Sequence, residues 1–185
     1  MTPDMKHLWA PPTTALARLF AERGHDVRVV GGAVRDAVAG RPANDVDLAT
    51  DATPAEMLAV GAALGLRTNP SLGEVERDPG LWEKGGLKHG TVPFVLDGET
   101  YEVTTLRLDA ETDGRWARTV YVKDFRADAA RRDFTFNAMS ADLGGRLHDY
   151  FGGVGDLAEG RVRFVGDAAG RIREGVWHGT WGNGW

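Results

Sequence analysis

The chain has no cysteine, and that absence excludes disulfide frameworks, thiolate metal sites and cysteine nucleophiles. No apolar run approaches the ~18 residues of a membrane span and no signal-like apolar segment opens the chain, so a cytoplasmic protein without membrane contact is expected. There is no excess of basic residues either. Lys and Arg number 22 against 27 Asp and Glu, a formal charge of −5, which excludes a globally basic surface that coats nucleic acid. Any nucleic-acid contact then needs a local patch. Internal repeats, low-complexity tracts and Pro/Ser-rich linkers are missing too. What is present is an ordinary composition, 42% hydrophobic and 26% charged over 185 residues. That suits one domain with a real core, or one domain and a short appendage, and is too little for a large multidomain enzyme.

Local patterns predict an alternation of helices and strands. Leu16, Leu19 and Phe20 recur at helical spacing after Thr13 and Thr14, which predicts a capped helix over 15–23 stopped by Gly24. A valine-rich strand over 27–30 runs into Gly31-Gly32 and a helix over 33–39, a strand, glycine turn and helix in succession. Asp45-Val46-Asp47-Leu48-Ala49 alternates with period two and reads as a strand. Thr53-Pro54-Ala55-Glu56 is a capping box with proline at the first helical position, predicting a helix over 54–64. Residues 69–88 show no periodicity and are expected to be irregular around Trp82. Asp97-Gly98 between two apolar runs predicts a hairpin of strands 91–96 and 100–106. Further on, a polar and mobile segment is expected over 109–128, a helix over 129–143, short strands over 147–151 and 162–165 joined by a glycine-rich connection, and another helix from 168 to 174.

Four constellations bear on chemistry. In Gly31-Gly32-Ala33-Val34-Arg35-Asp36, two glycines let a phosphate approach the backbone and Arg35 adds a forked cation; a plain tight turn with a surface arginine is the competing account. In Asp45-Val46-Asp47, strand alternation sends both carboxylates to one face, where they can share hard divalent cations with phosphate oxygens, although two solvated aspartates would look the same. A phosphate turn followed about ten residues later by such a pair places an anion cradle beside a metal cradle, as two-metal nucleotidyl transfer requires. Glu102 is the natural third carboxylate on a neighbouring strand, with an exposed hairpin glutamate equally open; Arg107 at that strand's end either meets a triphosphate or caps the sheet edge. In Asp128-Ala-Ala-Arg131-Arg132-Asp133-Phe134-Thr135-Phe136-Asn137, paired arginines can grip a triphosphate and ribose hydroxyls while the aromatics anchor the segment. His89 has no second histidine at metal-ligand spacing, so zinc is not expected.

Taken in order, Gly31-Gly-Ala-Val-Arg-Asp36, Asp45-Val-Asp-Leu-Ala-Thr50, His89-Gly-Thr-Val92, Glu102-Val-Thr-Thr-Leu-Arg107 and Arg131-Arg-Asp-Phe-Thr-Phe-Asn-Ala138 resemble the head domain of class II tRNA nucleotidyltransferases and bacterial poly(A) polymerases, over residues 27–174. The resemblance implies an α/β (α+β) fold, a polymerase-β-like nucleotidyltransferase head with a mixed sheet flanked by helices. It implies an N-terminal helix and lead-in at 1–26, the head at 27–166, and the truncated start of a neck helix with an aberrant tail at 167–185. By the family pattern Asp45 and Asp47 bind Mg²⁺, Gly32 and Arg35 the incoming nucleotide's phosphates, and Arg132 with Asp133 its triphosphate or ribose. Glu102 as a third catalytic carboxylate, and Gly31 and Arg107 as nucleotide-binding residues, are expectations of the strand and turn patterns above.

The implied reaction is Mg²⁺-dependent addition of nucleotides from CTP and ATP to a tRNA 3′ end, with poly(A) synthesis, or an inactive nucleotide-binding remnant, as alternatives. One departure stands out. Where the family pattern continues after Glu174 with a base-reading aspartate and then an arginine, this chain has Gly175 and His178. The segment from Gly175 to Trp185 carries no charge, four glycines and three of the chain's six tryptophans, a composition that neither an amphipathic helix nor a strand needs.

Overall fold

The computed structural model of the chain describes residues 4–43, 45–110 and 118–166. The expected helix at 168–174, the glycine and tryptophan tail, and the middle of the 109–128 segment lie outside the described residues. Among the described residues no helix is long and apolar enough to cross a membrane.

The first helix, α1 (Pro11–Ala21), starts earlier than its threonines suggest. Pro11 and Pro12 occupy the first turn, where a missing N–H leaves nothing unpaired, and the Thr13 hydroxyl donates back to the Ala10 carbonyl at 3.0 Å. Strand β1 (Val27–Val30), helix α2 (Gly32–Val38) and strand β2 (Asp47–Thr50) follow. The strand expected from Asp45 thus begins at Asp47, because pairing with β1 ends at Val30↔Asp47. Helix α3 (Pro54–Ala63) has the predicted capping box: the Glu56 carboxylate accepts from the Thr53 backbone N–H at 2.7 Å, and Thr53 Oγ1 accepts from Glu56 N–H at 3.3 Å.

After the short strand β3 (Arg67–Thr68), the stretch expected to be irregular forms α4 (Leu72–Arg77), a 3₁₀ turn at Pro79–Glu83 and α5 (Gly85–Lys88). Local caps explain it. Glu74 accepts from the Ser71 N–H and hydroxyl, and Asp78 accepts from Gly80 N–H ahead of the turn. Strands β4 (Thr91–Leu96) and β5 (Glu99–Thr105) form the predicted hairpin, with positive φ at both Asp97 (53°) and Gly98 (85°) as a right-twisting two-residue turn requires. A ribbon of β6 (Arg107–Ala110) and β7 (Arg118–Tyr121) replaces part of the expected mobile segment.

The predicted helix over 129–143 does not form. Helix α6 (Phe125–Ala130) begins where Asp124 accepts from Arg126 N–H at 2.8 Å, then gives way to a 3₁₀ turn at Thr135–Asn137 and strand β8 (Ser140–Ala141). Phe134 instead bridges Phe164, and Thr135 N–H donates to the Arg163 carbonyl, so tertiary pairing overrides the helical reading. The strand expected at 147–151 shortens to β9 (Leu147–His148), that at 162–165 to the single Phe134↔Phe164 bridge, and the glycine-rich connection contains α7 (Gly153–Ala158).

The described strands form a sheet in the order β3-β4-β5-β2-β1-β8-β9, antiparallel except for the central β2–β5 pair. This is the mixed sheet flanked by helices that the resemblance implies. Strand alternation separates two faces. Val27, Val29, Leu48, Val92, Phe94 and Val103 point into the main core against Leu16 and Phe20 of α1 and Met57 and Leu58 of α3. Phe20 meets Phe94 edge to face at 5.6 Å between centroids and is fully buried, worth about 1.5–3 kcal/mol. On the other face Val30, Ala49 and Leu106 are buried against Phe125 of α6. The end of that face where Asp47 stands exposed is the site.

Candidate functional site

Val30, Asp47, Leu48, Ala49, Thr104, Thr105, Asp128, Arg131 and Arg132 line a cleft of about 230 Å³ on this second face. The volume lies below the ~300–1,000 Å³ typical of small-molecule pockets. Asp47 enters it as the first residue of β2 and is exposed. In the parallel pairing Leu48 faces Val103 and Ala49 faces Thr104. One step earlier in that register Glu102 lies beside Asp47, on the same face, across strands about 4.8 Å apart. Asp45 is exposed and stands two residues before, outside the strand. Among the described residues, no hydrogen bond or ion pair occupies the carboxylates of Asp45, Asp47 or Glu102.

The opposite wall is cationic, and one buried carboxylate builds it. Asp128, 4% exposed, accepts through Oδ1 from Arg131 Nε at 3.0 Å and from the Arg107 backbone N–H at 3.1 Å. Its Oδ2 lies 3.5 Å from Arg132 Nη2. Burial lowers the Arg132 guanidinium from the usual arginine value, while Asp128 and Asp47 favour its charge and Arg131 opposes it. The cleft thus sets the carboxylate of Asp47 across from two guanidiniums.

The glycine turn abuts this wall. Gly31 has φ +69°, and a Cβ there would lie 2.9 Å from Arg132 Nη1, so both its conformation and its neighbour call for glycine. Gly32 opens α2. Arg35 is drawn aside: it makes a bidentate pair with Asp36 (2.8 and 3.0 Å) and donates to Asn137 Oδ1 at 3.1 Å. Asp133 also turns to Asn137, whose Nδ2 donates to it at 3.2 Å, and accepts from Phe134 N–H at 2.7 Å. Arg35 and Asp133 therefore meet on one amide beside the cleft rather than in its lining. The Arg107 guanidinium donates to the His89 carbonyl. Gly90, at φ +81°, lets that turn lie against Thr105 Cγ2, which a Cβ would approach to 2.5 Å.

Asp47 and Arg132 thus share the cleft, with Gly31 against Arg132 and Glu102 next to Asp47 on the sheet. Asp128 and Arg131, part of the constellation read from the sequence, also line it, as does Thr104, to which the sequence assigned no role. Asp128 was legible in principle, since it stands three and four residues before Arg131 and Arg132, the spacing of helical ion pairs.

Oxygen donors of this kind suit a hard divalent cation. Among the described residues no group of three or more His, Asp or Glu side chains is gathered in a way that could hold a metal ion.

Residues 27–163 match the Poly A polymerase head domain. The mitochondrial CCA tRNA nucleotidyltransferase 1 of Mus musculus is 42% identical over 173 residues, 94% of this chain and 37% of the mouse protein. The CCA-adding enzyme of Bacillus stearothermophilus, solved in complex with CTP, superposes with a TM-score of 0.70 at 35% identity, covering 90% of this chain and 36% of that one. A tRNA nucleotidyltransferase complexed with a primer tRNA and an incoming ATP analogue superposes with a TM-score of 0.58 at 25% identity, over 82% and 39% of the two chains. The chain spans little more than a third of the length of the mouse relative it matches. Its sheet, its cleft and these likenesses agree: the chain belongs to the poly A polymerase head-domain family, the polymerase-β-like heads of the tRNA nucleotidyltransferases.

Proposed function

We propose that the chain is the catalytic head of a nucleotidyltransferase that adds nucleotides from CTP and ATP to the 3′ end of tRNA, with Mg²⁺ as its metal. The observation that carries this reading is the composition of one cleft: Asp47 on the carboxylate side, adjoining Glu102 on the sheet, and the Arg131 and Arg132 pair facing it. The names of the relatives supply the substrates; the cleft supplies a place for a triphosphate between a cation site and two guanidiniums.

In this reading Asp45 and Asp47 hold the metal, and Glu102 adds a third negative charge beside them. A bound divalent ion would lower the pKa of the RNA 3′-hydroxyl and neutralise charge on the leaving pyrophosphate. Arg131 and Arg132 bind the phosphates through their forked N–H groups. Gly31 and Gly32 bring the backbone of the turn close to the same end, and Arg35 and Asp133, joined through Asn137, steady its flank. The 3′-hydroxyl attacks the α-phosphorus, the bond to the bridging oxygen breaks, and pyrophosphate leaves. The protein's share is orientation and electrostatics rather than a nucleophile of its own. A cytoplasmic location is part of the proposal, on the need for tRNA and nucleoside triphosphates together, and cell fractionation tests it.

The deciding assay offers the chain a tRNA lacking its 3′ end, Mg²⁺ and labelled CTP and ATP, separately and together. Incorporation of C and then A, lost in Asp45→Ala/Asp47→Ala, is the expected result. Extension by A alone would instead support a poly(A) polymerase. Nucleotide binding without incorporation would mark a head that keeps its site and lacks its reaction.

A further inference from the structure

The reaction described above needs arginines aimed at phosphate, and a guanidinium on a flexible stem does not aim itself. Arg132 is held from three directions. Asp128 Oδ2 lies 3.5 Å from Nη2, the Asn137 carbonyl accepts from Nη1 at 3.4 Å, and Gly31 borders Nη1 so closely that a Cβ would stand 2.9 Å away. Arg131 is oriented by the same carboxylate through Nε at 3.0 Å. Asp128 itself is buried, and its third contact, from the Arg107 backbone N–H, fixes the carboxylate to the junction of β5 and β6. A buried carboxylate that faces two guanidiniums orders both of them.

We propose that Asp128 is a positioning residue for triphosphate recognition, acting through Arg131 and Arg132 and touching no substrate, with the Arg132 guanidinium seated against Gly31, whose positive φ already favours glycine. This rests on the nucleotidyltransferase reading and adds to it.

The test uses the whole chain as wild type, Asp128→Asn and Asp128→Glu. Affinities for ATP, ADP and AMP are measured by calorimetry, with melting temperature and the NMR exchange rates of the arginine Nε–H protons alongside. The expected result is a wild-type preference for ATP over AMP that falls about tenfold or more in both variants, while AMP affinity stays within about twofold. In Asp128→Asn the Arg131 Nε–H proton should also exchange faster with water. A merely structural Asp128 would weaken all three nucleotides alike, and that result overturns the proposal. So does an unchanged ATP preference in a folded Asp128→Asn chain. Should Asp128→Asn not fold, Asp128→Glu decides, since it keeps the buried charge while shifting the carboxylate away from the two guanidiniums. A wild-type chain with no ATP preference would remove the nucleotidyltransferase reading itself, whereas a preference kept in the variants removes only the role of Asp128.

Discussion

Asp156 has no exposed surface, so its charge depends entirely on the groups around it. Its Oδ2 accepts from the Thr135 hydroxyl at 2.5 Å and from Arg163 Nε at 3.0 Å, while Arg161 Nε stands 3.4 Å from Oδ1. The Thr135 hydrogen bond is the largest influence holding this carboxyl below the ordinary carboxylate value, with Arg163 and Arg161 assisting against the opposing effect of burial. A depressed folded-state pKa adds stability above the unfolded value of about 3.9, and that stability is lost as pH falls through the folded value. Thr135→Val should therefore destabilise the chain at pH 7, and its difference from wild type should shrink as pH is lowered through the carboxylate range. Urea denaturation at stepped pH checks this; a difference that does not vary with pH would detach Asp156 from acid stability. Asp128 and Asp156 are both acidic residues that a reading by composition assigns to the surface. Only their burial against arginines shows otherwise.

Helix α7 shows why whole elements can escape a reading of periodicity. Its six residues are mostly small, and its cap lies four residues upstream. There Asp149 accepts from the N–H groups of Gly152 and Gly153 at 2.9 Å each and of Val154 at 3.0 Å. Gly153 then lets the helix backbone lie directly on the 3₁₀ turn: a Cβ would stand 2.5 Å from the Thr135 carbonyl oxygen and 2.8 Å from Phe136 Cα. Since backbone cannot move aside as a side-chain end can, Gly153→Ala should cost about 1–3 kcal/mol or more. Gly155, in the same helix, has nothing within 4 Å of its would-be Cβ, so Gly155→Ala should stabilise by about 0.5–1 kcal/mol through helix propensity. Denaturant midpoints of the two variants should move in opposite directions. The same logic explains the failed helix over 129–143, where Phe134, Phe136 and Met139 imitate a helical stripe. Phe134 in fact stacks on Phe136 at 5.3 Å and on Phe164 at 5.0 Å, a partner about 30 residues away that no local window contains.

For the whole molecule, ligand binding and stability are linked. A ligand bound only by the folded chain, at about a hundred times its Kd, adds about 2.7 kcal/mol, which for a chain of this size raises the melting temperature by roughly 5–10 °C. ATP with Mg²⁺ should produce such a shift, and Asp45→Ala/Asp47→Ala should lose the part that depends on the metal. A full shift retained in the double variant would place the metal elsewhere. How much of this was legible beforehand depends on distance along the chain. The capping box at Thr53, the Asp97-Gly98 turn, the strand, turn and helix around Gly31, and the ordered motifs that identify the family all depend on residues within a few positions of one another. Local sterics and hydrogen bonding decide such features, and the sequence alone is enough to read them. The parallel register that sets Glu102 beside Asp47, the tie of buried Asp128 to the Arg107 backbone, and the seating of Arg132 against Gly31 join residues from about 20 to 100 positions apart. Those were decided only by the packing of the whole core, because a register or a buried charge is stable only when every neighbouring element is already in place.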